Sequence, residues 1–278
     1  MPILGLGTYQ ITNKEAIHTV VEAALSAGYR HIDTASGYQN EQLIGVALKE
    51  LLPKFGLTRQ DVFITSKIGP NFAGETELVL NCLEQSLVNL GTEYLDLCLI
   101  HWPGNFKLDV TDPRNKSLRL ITWKALESVY TKGLVKAIGV SNYEIRHLEE
   151  LKQCEVFPHV NQVELHPHYP QSSLLQYCKE NNVALQAYSS LGTRDHCHKL
   201  LSDDTVVAVA AAVGRTPAQV LLCWALQQNI GVLPKSTKPG HIASNIECLE
   251  HSLSREQLQA LSTLETSCKY SWDPKSVV

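Results

Sequence analysis

The sequence lacks a CxxC pair, a basic stripe, a glycine-rich phosphate loop and any apolar run near the roughly 20 residues that cross a bilayer. Each absence excludes something. The eight cysteines (Cys82, Cys98, Cys154, Cys178, Cys197, Cys223, Cys248 and Cys268) are scattered. Several lie inside apolar patterns, where cysteine acts as a small hydrophobe. That usage favours reduced thiols and a cytoplasmic setting. A net charge of −4 without a basic patch argues against nucleic acid, and the missing apolar run argues against a membrane. The opening Met1-Pro-Ile-Leu-Gly-Leu-Gly7 has no basic segment followed by a long apolar one, so no secretory signal is expected. Gly5-Leu-Gly7 is too short for a dinucleotide fingerprint, and no acidic residue follows at the required place.

What is present is enough for a sizeable core: 278 residues, 44% apolar and 19% charged. Period-2 alternation places strands at 2–7, 31–35, 62–67, 95–101, 135–140, 159–164, 183–188 and 230–235. Helical spacing places helices at 13–27, 40–53, 75–90, 118–132, 144–153, 171–181, 203–213 and 217–228, with two more near 240–250 and 254–264. Asn40 stands where it would cap the second helix, and Thr216-Pro217 where they would open the eighth. Strands and helices alternate without a linker or a low-complexity segment. The expected fold is α/β, a single (β/α)8 TIM barrel over residues 1–278, with its chemistry at the C-terminal ends of the strands. The polar loop 104–117 is long for a compact domain, which marks it as functional.

Three successive strands end in chemistry-bearing groups. Asp33 and Tyr38 close the second, Lys67 the third and His101 the fourth. A carbonyl accepts hydride only if its oxygen receives a proton or a positive field as charge develops. A tyrosine is a poor acid alone, and a neighbouring ammonium would ease its ionisation. Taken singly, each residue has an ordinary structural explanation: a rim lysine is usually solvated, and a lone histidine usually structural. Together, in the contexts HIDTASGYQNE, FITSK and LIHWP, they resemble the tetrad of the aldo-keto reductases. The resemblance implies Tyr38 as general acid, Lys67 beside it, Asp33 holding Lys67, and His101 orienting the carbonyl.

The same resemblance covers nearly the whole chain and implies a cofactor site. It places Thr8, Tyr9 and Asp33 there, with Ser141, Asn142 and Gln162 toward a nicotinamide carboxamide and Tyr188 stacking on the ring. Asn161-Gln162 equally fit a buried hydrogen-bond network in the sheet. Ser189, Leu191 and Thr193 match the loop that folds over the pyrophosphate, although Ser190 replaces a common proline. Lys235, Ser236, Thr237 and Asn245 match the adenosine-phosphate motif, with histidine at 241 and serine at 244 where the family has arginine and glutamate. NADP(H) is still favoured, since Lys235 and Lys238 remain. Tyr9, Tyr38, His101 and Trp102 would line the substrate pocket with the 104–117 loop and the C-terminal tail. The tail is short for the family and its usual N-terminal hairpin has no counterpart, which suggests an open site of broad range.

No metal is expected, because His166-Pro-His168 and His196-Cys-His198 lack a spaced second pair. The partner is expected to be a small-molecule carbonyl and the chain a monomer. The alternative is a binding or structural protein on the same barrel, as in channel-associated subunits and lens crystallins; the intact tetrad favours catalysis. Hydrolytic barrel chemistry would need paired acids at strand ends, and Asp33 is read as standing without such a partner.

Overall fold

Two glycines let the first strand meet the last. A Cβ on Gly5 would lie 2.8 Å from both the His31 ring and Leu233, and one on Gly7 would lie 2.9 Å from the Leu233 carbonyl. The computed structural model describes residues 1–278. Its strands are Leu6–Gly7 (β1), His31–Asp33 (β2), Phe63–Ile68 (β3), Leu97–Ile100 (β4), Ile138–Ser141 (β5), Val160–Glu164 (β6), Ala184–Tyr188 (β7) and Gly231–Val232 (β8). All pair in parallel, in chain order. A parallel bridge from Leu4 to Val232 closes the ring, where Gly5 N–H donates to Val232 O at 2.9 Å and Val232 N–H to Ile3 O at 2.8 Å. The fold is the (β/α)8 barrel that the alternation predicts.

The helices are Lys14–Ala27 (α1), Glu41–Lys54 (α2), Thr76–Leu90 (α3), Arg114–Thr131 (α4), Ile145–Glu150 (α5), Ser172–Glu180 (α6), Cys197–Leu201 (α7), Asp204–Val213 (α8), Pro217–Leu226 (α9), Pro239–Ile246 (α10) and Arg255–Ser262 (α11). Local chemistry explains several ends. Asn13 Oδ1 accepts the Ala16 amide, Gly28 closes α1 at φ +98°, and Thr216 and Gln219 form a reciprocal cap on α9.

Several expectations differ from the structure, among them strands 2–7 and 230–235, which shorten to Leu6–Gly7 and Gly231–Val232. Asn40 precedes α2 but makes no capping bond; its Nδ2 donates to Thr8 O (2.9 Å) and Ile11 O (3.0 Å), and its Oδ1 accepts from Thr34 Oγ1 (2.7 Å). A buried amide that ties two strand ends satisfies more groups than a cap does. Helix α4 begins at Arg114 rather than 118, because Asp112 accepts the Arg114 amide (2.9 Å) and starts the turn early. That leaves 104–113 as the loop. The short α7 was not expected; five residues are too few to show a period.

Burial also sets an acid limit on stability. It holds His31, His101 and His147 neutral, with pKa values pushed down to about 4, 3 and 4. Unfolded histidine titrates near 6.5, so below that the unfolded chain binds more protons than the native one. Stability from these groups is therefore complete above about pH 6.5 and is lost as pH falls toward their native values. At pH 5 the expected loss is on the order of 2 kcal/mol per histidine. Urea unfolding at pH 7 and pH 5 checks this, and equal stabilities would contradict it.

Candidate active site

Register sets the centre of the site. Asp33 pairs with Thr65, and Lys67 lies two residues further along β3, so both side chains point into the barrel. Lys67 Nζ donates to Asp33 Oδ1 (2.5 Å) and to Thr34 O (2.8 Å), and lies 3.5 Å from Tyr38 Oη. The other Asp33 oxygen accepts from Gln162 Nε2 at 2.8 Å, a bond that crosses the barrel from β6. Tyr38 sits on a single 3-10 turn, Ser36–Tyr38, just past β2. Its ring meets His101 edge-on at 5.5 Å and Tyr9 at 5.0 Å. The four residues that the strand ends suggest are thus brought together.

Their electrostatics differ from the simple expectation in one respect. Burial pushes the Tyr38 phenol well above its ordinary pKa, and the Asp33 carboxylate adds to the rise. The ammonium does not reverse this, so the hydroxyl keeps its proton. Burial also pushes Lys67 down, opposed by the Asp33 charge. His101 falls to about 3 through burial and then the Lys67 charge, which leaves a neutral imidazole with one N–H to donate.

The residues expected at a cofactor lie on both sides of this centre. Thr8 Oγ1 donates to Asp33 O (2.8 Å), Ser141 Oγ to Gln162 O (2.8 Å), and Tyr188 Oη to Asn142 Oδ1 (2.6 Å). Asn142 Nδ2 donates to His101 O at 3.0 Å, linking β5 to β4. Gln162 Nε2 also donates to Gln186 Oε1 (2.8 Å), so both of its hydrogens are used and its carbonyl oxygen stays without a protein donor. The buried-network reading of Asn161 and Gln162 therefore describes their donors. Leu191 packs on the core, and Thr193 Oγ1 lies 2.9 Å from His196 Nδ1.

Lys235 follows β8 with no ion pair. Burial and then the Arg194 guanidinium push its ammonium down, so Arg194 adds a second positive charge to its surroundings. Arg194 was missed in the sequence, where nothing marks a loop arginine as influencing Lys235. Ser236 Oγ accepts the Lys238 amide (3.0 Å), Thr237 and His241 are exposed, and Asn245 is buried on α10. A cation just ahead of a helix start suits a phosphate group.

Above Tyr38 and His101 a cavity of about 840 Å³ opens, lined among others by Tyr9, Trp102, Phe72, Phe106 and Trp272. The C-terminal tail enters the lining through Trp272, a residue that the sequence did not single out. Here it meets Tyr9 edge-on at 6.0 Å. Asn105, Leu108 and Val110 also line the cavity, so the 104–113 loop contributes to it.

Comparisons with known proteins agree with this layout. The model of the Aldo/keto reductase family matches residues 3–266. The 9,11-endoperoxide prostaglandin H2 reductase of Trypanosoma cruzi is 38% identical over 275 residues, covering 99% of this chain and 91% of that protein. The glyoxal reductase of Bacillus subtilis is 39% identical, over 95% of this chain and 89% of its own. The crystal structure of an aldo-keto reductase enzyme from a Medee basin deep-sea metagenome library superposes with a TM-score of 0.88. It is 37% identical, over 98% of this chain and 94% of that one.

Proposed function

The chain belongs to the aldo/keto reductase family, an oxidoreductase of carbonyls, and we propose that it reduces small aldehydes and ketones with NADP(H), using Tyr38 as the acid. One observation carries this reading: the Tyr38 hydroxyl 3.5 Å from the buried Lys67 Nζ, at the floor of an aromatic cavity. When bound, the nicotinamide supplies the hydride. Tyr38 Oη delivers its proton as the carbonyl oxygen gains charge, and the neutral His101 donates a hydrogen bond that orients that oxygen. Asp33, itself bonded by Gln162, and the Thr34 carbonyl hold Lys67 in place beneath them. Gln162 Oε1, free of protein donors, suits the carboxamide of the nicotinamide.

Of the 26 cavity residues only Glu41 carries a charge, although 19% of the chain does, and its carboxylate accepts from Ser66 Oγ at 2.6 Å. Such a lining favours uncharged substrates. We further read the protein as a cytoplasmic monomer; its eight unpaired cysteines fit a reducing compartment. Loss of absorbance at the NADPH band with an uncharged aldehyde tests the whole reading, and no turnover of any aldehyde with either NADPH or NADH would sink it.

The preference for the 2′-phosphate has its own test. His241 is exposed in the first turn of α10, where an arginine would present a planar fork. His241→Arg is expected to tighten NADPH binding by about 1–3 kcal/mol and to leave NADH almost unchanged. Dissociation constants for the two cofactors check this. Equal changes, or none, would place the 2′-phosphate elsewhere, with Arg194 and Lys235 the next residues to substitute.

A further inference from the structure

Tyr270 joins two parts of the site that the strands leave separate. Its ring stacks on His196, with centroids 5.2 Å and planes 7° apart, and on His166 at 4.9 Å and 24°. Its hydroxyl oxygen lies 2.6 Å from His168 Nδ1. His196 belongs to the tight turn after β7, where its own amide and that of Cys197 both donate to Thr193 O, at 3.1 and 2.7 Å. Two residues beyond Tyr270 is Trp272, a wall of the substrate cavity. Buried Glu164, at the end of β6, grips the segment between. It accepts from the Tyr270 amide (2.5 Å), the Ser271 amide (3.0 Å) and Lys269 Nζ (2.9 Å). The mouth is therefore tied firmly to Tyr270, while the segment after β7 meets the same ring through the His196 stack and through Lys199 Nζ, 5.6 Å from the ring centroid. His196 itself lines no part of the cavity.

We propose that Tyr270 is a positioning residue that couples the loop over the cofactor to the aromatic wall of the substrate mouth. The inference rests on reading 189–193 as that loop. A shift of the turn moves His196, the stack moves Tyr270, and the Glu164 grip carries the motion to Trp272. In this way an emptied cofactor site loosens the mouth as well.

The test compares Tyr270→Ala, Tyr270→Phe and His196→Ala by two measurements. One is the NADPH dissociation rate, from cofactor fluorescence without turnover. The other is the dissociation constant of a bulky aromatic aldehyde on the NADP+ complex, from tryptophan quenching. A stacked pair of this kind corresponds to about three- to tenfold in an equilibrium or rate. Tyr270→Ala and His196→Ala are each expected to raise both quantities by that factor. Tyr270→Phe keeps the ring and is expected to leave both near the parent. His196→Ala decides the matter, since His196 is partly exposed and lines no part of the cavity that would hold the aldehyde. If it speeds cofactor release and leaves the aldehyde constant alone, the coupling is wrong. If Tyr270→Phe is as impaired as Tyr270→Ala, the bond to His168 rather than the stack does the work and the proposal fails. A parent protein that binds neither NADPH nor NADP+ would instead overturn the functional reading beneath it.

Discussion

Tyr38→Phe is expected to lower carbonyl reduction by about 10²–10⁴-fold while NADPH affinity stays nearly unchanged. The substitution removes one oxygen and keeps the ring. Packing against Tyr9 at 5.0 Å and His101 at 5.5 Å is therefore retained, and the cavity keeps its shape. The oxygen removed carries the proton that burial and the Asp33 charge hold in place. The other three groups cannot replace it: Lys67 is engaged by Asp33 and Thr34, Asp33 accepts on both oxygens, and His101 is neutral with a pKa of about 3. The raised phenol pKa also means that loss of the Tyr38 proton should not limit the parent's reductive rate on the alkaline side of neutrality. Steady-state rates and a fluorescence titration of cofactor check both points. Activity within a few-fold of the parent would assign the proton to another donor.

Lys67→Met is expected to cost both catalysis and stability, and the double variant separates the two. Removing the ammonium leaves Asp33 buried with Gln162 Nε2 as its remaining side-chain partner. Breaking a buried pair from one side costs about 3–5 kcal/mol, because a bare charge stays in the interior. Reduction should fall by at least about 10²-fold, since the positive field beside the phenol disappears. Asp33→Asn with Lys67→Met removes both charges together. Its stability by urea unfolding should return most of the way to the parent's, and its activity should not. A double variant as unstable as Lys67→Met would show that the stranded Asp33 charge is not the cause. Full activity in Lys67→Met would remove lysine from the chemistry.

The barrel was legible because its signals are local. Alternation over a few residues separates strand from helix, and eight repeats of the pair leave few topologies. Asp33, Lys67 and His101 could be singled out because each ends or closely follows a strand, where barrel chemistry gathers. Asn40 shows the limit of such signals. Its position matches a cap, yet its amide is drawn to Thr8 and Ile11 by contacts that no neighbour in the chain reveals. The early start of α4 is a smaller case, decided by Asp112 one turn outside the expected boundary.

Element types, their order and the candidate groups at the strand ends could be read from the amino acids, because period and spacing are written within a few residues of each position. The partners of those groups could not. The Gln162–Asp33 bond spans 129 positions, the Glu164 grip on Tyr270 spans 106, and Trp272 comes to Tyr9 from the other end of the chain. Such contacts exist only once the ring has closed and the tail has crossed its mouth. The sign of the Tyr38 shift is of the same kind. It sums burial and every charge around the phenol, and those distances belong to the folded barrel rather than to any stretch of its sequence.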